Sequence, residues 1–292
     1  MRLIRSRHPI DLPGTLFPLL RGRGDPTMRI DRTQAWRSMR TPEGAATLYL
    51  SAEGPTRIRA DAWGPGATWA LDHVAGLAGA EDDDTGFQPK HEAIRELWKR
   101  HRAVRLTRAA LVMPTLLAAI LEQKVTGIQA RRAWRLMVLA VGEPAPGPMS
   151  GLVLPPDPAR LAALPYFAFH PFGVERRRAE VIRAVCARAD RLEGPEALGR
   201  LGSITGIGPW TLAETARLTF GDPDAVSVGD FHLPNLVAWA LARESRGDDE
   251  RMLELLEPYR GHRGRVQRLL EAGRIKPPAF GPRMEAPSID AL

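Results

Sequence analysis

The run Leu201-Gly202-Ser203-Ile204-Thr205-Gly206-Ile207-Gly208-Pro209-Trp210 decides how this 292-residue chain is read. An amphipathic segment leads into it. Gly206 and Gly208 permit a tight turn with positive φ and no projecting side chain. Pro209 suits the first turn of a following helix, where its missing N–H is no loss. That helix reads Trp210 to Phe220, with Leu212, Ala216 and Phe220 on one face. The unit is a helix, a hairpin and a helix. Its backbone N–H groups at a helix start, together with the local dipole, suit a phosphate oxygen. Taken alone, the same residues also describe an ordinary glycine-rich turn between packed helices.

A second stretch, Val226-Ser227-Val228-Gly229-Asp230-Phe231-His232-Leu233-Pro234, brings Asp230 to a point 24 residues after Gly206. It opens a helix whose Leu233, Leu236, Val237, Ala240 and Leu241 keep the spacing of a core-facing stripe. Aspartate is a favoured helix N-cap, worth about 1 kcal/mol over alanine. A cap and a chemical role are compatible, because a carboxylate at a helix start can also stabilise a nearby developing cation.

Further out, helical stripes recur at Leu116, Leu117, Ile120 and Leu121; at Ala130, Ala133, Trp134, Met137, Val138 and Val141; at Val174, Val181, Ile182 and Val185; and at Met252, Leu255, Leu256, Val266, Leu269 and Leu270. Arg176, Arg177 and Arg178 read as a solvated helix face or as phosphate contacts. Residues 142–158 read as a Pro/Gly-rich loop. Before Lys90 the pattern differs. Residues 1–26 read as an irregular leader rich in Pro and Gly. Met28-Arg29-Ile30, Thr47 to Leu50 and Thr56 to Ala60 read as short antiparallel strands, and Ala67 to Ala78 as a helix. Glu81-Asp82-Asp83-Asp84 reads as a solvated loop at a boundary near residue 88. The expected fold class is α+β: a small antiparallel β-containing N-terminal domain (1–88), a larger all-α domain (89–276) and a weakly ordered tail (277–292).

Lys plus Arg is 41 against 34 Asp plus Glu, a net charge of +7 with a sequence pI near 10.2. Such charge fits a nucleic-acid partner, and equally a merely basic enzyme from an arginine-rich composition. The hydrophobic share of 44% excludes a disordered chain. The one cysteine, Cys186, excludes an internal disulfide, a four-cysteine zinc site and an iron–sulfur cluster held by this chain's own thiols. The longest apolar run, Leu111 to Leu121, is too short to span a bilayer. No signal-peptide pattern is evident at Met1-Arg2-Leu3-Ile4-Arg5, so a cytoplasmic location is expected.

The hairpin followed by a Gly-bearing loop and Asp230 resembles the helix–hairpin–helix DNA glycosylase superfamily, and within it the DNA-3-methyladenine glycosylase II type, over roughly residues 90 to 275. Ile120-Leu121-Glu122-Gln123-Lys124-Val125 resembles that family's segment at the minor groove. His170-Pro171-Phe172-Gly173-Val174 resembles its bend before an Arg-rich helix. The resemblance implies a monomeric repair enzyme that acts on double-stranded DNA, extrudes a damaged base and hydrolyses its N-glycosidic bond. It implies Asp230 as the catalytic carboxylate. Thr205, Gly206, Ile207, Gly208, Gln123 and Lys124 are the implied DNA contacts. Lys124 stands where relatives carry an apolar wedge, and His262 where they carry a stacking tryptophan. Trp210, Tyr166, Phe172 and His262 are candidates for the base pocket. Trp210 replaces the lysine of lyase-competent relatives and cannot form a Schiff base, which implies a monofunctional glycosylase. No cofactor is implied beyond Na+ or K+ on the carbonyls of Gly202, Ile204 and Gly206, and no iron–sulfur cluster. The alternatives are a non-catalytic DNA-binding protein and a glycosylase for oxidised or deaminated bases.

Overall fold

Alternating inward and outward residues build the N-terminal sheet. In the computed structural model, which describes residues 1–194 and 196–278, five antiparallel strands run in the order β1-β5-β4-β3-β2. They are β1 (Arg2–Arg5), β2 (Met28–Ile30), β3 (Gln34–Thr41), β4 (Gly44–Ala52) and β5 (Arg57–Trp63). The register sets Ala35 opposite Leu50, Leu50 opposite Ala60, and Ile4 opposite Ile58, so one face of the sheet is apolar and buried. Helices α1 (Leu12–Leu16), α2 (Ala67–Asp72) and α3 (Val74–Leu77) bring Leu12, Leu16, Ala70, Val74 and Leu77 into the same core.

Three expectations change here. Residues 1–26 are not an irregular leader. They supply β1 and α1, and the Asp11 side chain caps α1 by accepting from the Gly14 N–H at 3.0 Å. Residues 67–78 form two helices that meet at His73 rather than one. The acidic run at 81–84 is not wholly solvated. The Asp82 carboxylate, 3% exposed, accepts from Arg265 at 2.8 and 2.9 Å and pairs with Arg105 at 3.1 Å. Two guanidiniums withdrawn from water need counter-charges: Asp82 serves both, and Asp84 adds a second partner for Arg105 at 3.0 Å.

The rest is helical. The first helical core is built by α5 (Val112–Glu122), α6 (Gly127–Val141), α7 (Pro158–Ala163), α8 (Arg176–Cys186) and α9 (Ala197–Leu201), with Phe169 from a tight turn at its centre. α10 (Pro209–Thr215) follows the hairpin and opens into a wider π turn, Ala216–Phe220. The second helical core joins α4 (Glu92–His101), α11 (Leu233–Ala242), α12 (Asp249–Leu256) and α13 (Arg263–Ala272). The sheet core also takes in Ala109, Leu111 and Leu218 from the helical part. The tail expected at 277–292 lies outside the described residues from 279 onward. Among the described residues no helix is long and apolar enough to cross a membrane.

Candidate active site

The hairpin lies between α9 and α10. Gly206 has φ +95°, and a Cβ there would sit 2.3 Å from Val181 Cγ2, so only glycine fits for two separate reasons. Gly208 is different. Its backbone is extended, and a Cβ would meet nothing within 4 Å. No protein atom requires glycine at 208, but a group approaching the turn from outside would meet bare backbone there. Gln123 ties this turn to the end of α5: its Nε2 donates to the Gly206 carbonyl at 3.0 Å and to Thr211 Oγ1 at 2.9 Å. Its amide nitrogen is therefore a strut inside the protein, at a residue the resemblance implies as a DNA contact. Lys124, next along, is exposed and left-handed (φ +55°).

Asp230 stands where α11 begins. Its Oδ1 accepts from the N–H groups of His232 (2.7 Å) and Leu233 (2.8 Å), and its Oδ2 accepts from Trp210 Nε1 at 2.9 Å. The helix start and the indole thus hold one half-buried carboxylate in a single pose. Two elements 20 residues apart in sequence converge on it. Phe231, beside it, is 84% exposed, with its ring edge-on to His232; the sequence reading passed over both.

Behind Trp210 on the same face of α10, one turn on, lies Glu214. It accepts from Ser227 Oγ at 2.5 Å and from Arg217 at 3.0 Å. Arg217 also reaches Glu271, and Gln267 joins Ser227 to Glu271. Burial works against the Arg217 cation, but Glu214 and Glu271 outweigh it and push its pKa up. From the opposite core Glu122 ends α5, with its Oε1 accepting from Arg21 at 3.2 Å. Burial raises the Glu122 pKa, while Arg21 pulls it back. None of these polar residues was singled out from the sequence, although Glu214 is readable as Trp210 plus four on a helix.

The remaining expected residues have local partners of their own. Tyr166 lies under the Arg176 guanidinium, 4.8 Å from the ring centre, and Phe172 packs edge-on to Phe169. His262 uses both ring nitrogens structurally: Nε2 faces the Thr85 carbonyl at 3.1 Å, and Nδ1 accepts from Arg265. Of the four aromatic candidates, Trp210 is the one hydrogen-bonded to Asp230. Arg178 is neither solvated nor a phosphate contact. It is buried, and it donates to the Leu121 carbonyl at 2.6 Å and to Glu175. The carbonyls of Ile204 and Gly206 accept from the Ile207 N–H and from Gln123 Nε2, and each oxygen keeps a second lone pair. No cluster of His, Cys, Asp and Glu among the described residues could hold a metal. Cys186 is buried, which pushes its thiol up to about 12.

No family model matches the chain, and no curated protein matches it in sequence. Solved structures do match in fold. A 3-methyladenine DNA glycosylase from Archaeoglobus fulgidus superimposes with a TM-score of 0.78 at 18% identity, over 94% of this chain and 99% of that one. The 8-oxoguanine glycosylase/lyase of Clostridium acetobutylicum in its apo form gives 0.69 at 10% identity, over 92% and 95%. The same enzyme in complex with double-stranded DNA gives 0.65 at 10% identity, over 94% and 97%. The chain has the fold of these DNA glycosylases. The likeness spans the N-terminal sheet as well as both helical cores, since nearly the whole of each chain is covered.

Proposed function

We propose that this protein is a monofunctional DNA glycosylase that extrudes alkylated purines, of the 3-methyladenine kind, from double-stranded DNA and hydrolyses their N-glycosidic bond. The observation that carries the reading is Asp230, clamped between the start of α11 and the Trp210 indole beside a hairpin whose outer edge is bare backbone.

The chemistry follows from charge. A base must leave the stack before its C1′–N bond is accessible, at a cost of a few kcal/mol that is smallest for a damaged base. Alkylation makes the base cationic and already a good leaving group. As the C1′–N bond breaks, the electron pair leaves with the base and positive charge grows on the sugar. Asp230 faces that charge and stabilises it. Water then adds at C1′ and passes its proton to solvent, which balances the positive charge the methylated base carried. The Trp210 ring offers a stacking surface, while its N–H fixes the carboxylate. The N–H groups of Thr205, Gly206 and Gly208 would hold a phosphate of the damaged strand, the Ile207 N–H being bonded to the Ile204 carbonyl, and the exposed Lys124 would meet the groove nearby.

A tryptophan at 210 supplies no amine, so the reading predicts base release without strand cleavage. Incubation with duplexes carrying single alkylated, deaminated or oxidised bases, followed by separate measurement of free base and of nicked strand, tests it. Release of methylated purine without nicking supports the proposal. Release of 8-oxoguanine alone would transfer the chain to the oxidised-base class, and tight binding without release would make it a binding module.

A further inference from the structure

Consecutive residues tie the end of α5, next to Lys124, to two different parts of the chain. Gln123 bonds the hairpin and α10, and Glu122 bonds Arg21 of the N-terminal segment. Arg21 opens a short loop, Arg21-Gly22-Arg23-Gly24-Asp25, that lies along the start of α6. The loop is fixed from inside. Asp25 is buried and accepts from the Arg21 N–H at 2.8 Å, from the Thr27 N–H at 2.9 Å and from the Trp134 indole of α6 at 3.1 Å. A Cβ on Gly22 would lie 2.7 Å from Arg131 Cδ, and one on Gly24 would lie 3.2 Å from Arg135 Cδ. The two glycines therefore rest on the stems of arginines one turn apart on α6. The Arg131 guanidinium folds back to Gly127, where a Cβ would lie 2.9 Å from Nη1, and this brings its charge to the turn that carries Lys124. Arg23, Arg131 and Arg135 are exposed, and among the described residues none of the three is ion-paired. Glu122 acts on Arg131 only at a distance, its hydrogen bond going to Arg21. Exposed arginines elsewhere, such as Arg176, Arg200 and Arg260, each pair with a neighbouring glutamate.

We propose that this ridge, Arg23, Arg131 and Arg135 with Lys124 at its foot, holds the sugar–phosphate backbone of the undamaged strand while the hairpin holds that of the damaged one. The inference rests on the glycosylase reading above and deepens it, because it gives the N-terminal segment a part in binding DNA. The minor groove is about 6 Å wide and is bordered by one backbone on each side. A turn that enters the groove at Lys124 meets both. The hairpin, joined to that turn through Gln123, takes one. The ridge, joined to it through Arg21 and Arg131, takes the other. A guanidinium offers phosphate two parallel N–H bonds and stays charged at every working pH. Arg131 and Arg135 are spaced by about 6 Å along the helix axis, so they can meet separate phosphates. Their stems are already held against the loop, so little side-chain freedom is lost on binding. No base edge is involved, and the contact positions the duplex without reading its sequence.

Equilibrium binding to a duplex with one uncleavable abasic analogue, measured between about 50 and 200 mM salt, tests this. The wild type is compared with a double variant, Arg131→Gln with Arg135→Gln, and with its conservative counterpart, Arg131→Lys with Arg135→Lys. Each phosphate neutralised adds about 0.9 to the slope of log affinity against log salt. The glutamine pair should therefore lower the slope by about 1.8, and the wild type should lose about tenfold more affinity than that variant over the same range. The lysine pair should keep the slope. Neutral methylphosphonates in the undamaged strand opposite the analogue should weaken the wild type and leave the glutamine pair unaffected; in the damaged strand they should weaken both alike. If the glutamine pair lacks a cooperative melting transition, Arg23→Gln decides, with a slope lower by about 0.9. An unchanged slope, or a difference between wild type and variant that appears only with methylphosphonates in the damaged strand, would overturn the role of the ridge. Release of 3-methyladenine by the wild type is measured separately. Release with an unchanged slope would remove the ridge and leave the glycosylase reading standing, whereas a lowered slope without release would keep the ridge as a DNA contact and overturn that reading.

Discussion

Replacing Asp230 by Asn separates the two roles of that residue, because Asn is nearly as good a helix cap. One side-chain oxygen remains to accept from His232 and Leu233, as Oδ1 does in the wild type. The amide nitrogen then faces the Trp210 N–H, and two donors meet where a donor met an acceptor. Trp210 is only half-buried, so its N–H can turn to water, and the loss of stability should be about 1 kcal/mol. A chain of this size should then melt only about 2–4 °C lower. The loss of activity should be far greater. Removing a fixed charge aimed at a transition state typically lowers the rate by about 100- to 1,000-fold, equivalent to about 3–4 kcal/mol. The assay is single-turnover release of 3-methyladenine from a defined duplex, with thermal melting of the same preparation. A variant that melts as expected and still releases base within about threefold of the wild type would refute the catalytic role of Asp230. So would a rate loss that merely tracks a large loss of folded protein.

Gly206→Ala should destabilise the protein by about 2–4 kcal/mol in chemical denaturation, from a forbidden φ and a clash with Val181; Gly208→Ala, with nothing within 4 Å, should leave stability almost unchanged and weaken binding to a duplex. Asp82→Ala leaves Arg105 and Arg265 facing each other in the interior without their shared acceptor, and should lower the unfolding free energy by about 3–5 kcal/mol. The Cys186 thiol, buried and pushed up to about 12, should resist thiol-labelling reagents at mildly alkaline pH in the native protein and react fully once unfolded; rapid native labelling would contradict its place in the first helical core.

The features legible in the sequence were those whose cause is local. Glycine chemistry at 206 and the carboxylate at 230 depend on neighbours a few residues away: the hairpin stands, while Asp230 lies two residues ahead of the cap position and accepts from the N–H of Leu233, the first residue of α11. The helical stripes likewise report one face of one element. What escaped depends on partners far along the chain. β1 and α1 hide in a Pro/Gly-rich stretch because Pro13 and Gly14 read as breakers, whereas Asp11 turns them into the first turn of a helix. β3 carries Trp36, Arg37 and Arg40, which blur the alternation; Arg37 is buried nonetheless, and its pKa falls to about 10 through burial. The acidic run looked solvated because its counter-charges, Arg105 and Arg265, are 23 and 183 residues away from Asp82.

The misplaced site residues follow the same logic and point to how the site is held. A lone aromatic or arginine in a sequence says nothing of which partner it will meet. Arg178 could be assigned to phosphate only until its guanidinium is seen against the Leu121 carbonyl, one residue before Glu122. That bond and the Gln123 strut both grip the end of α5, one from α8 and the other from the hairpin. The Trp210–Asp230 and Glu214–Ser227 bonds do the same for the loop that leads into α11. α10 is therefore bonded on one side to the first helical core and on the other to the second, and it carries the indole between them. Carboxylates held in fixed poses at such a seam need no reorganisation when charge develops, which is the property that electrostatic catalysis requires. Loosening either grip, by Gln123→Ala on one side or Ser227→Ala on the other, should lower the rate without removing any group that touches the substrate, and the two effects should couple through α10 rather than add.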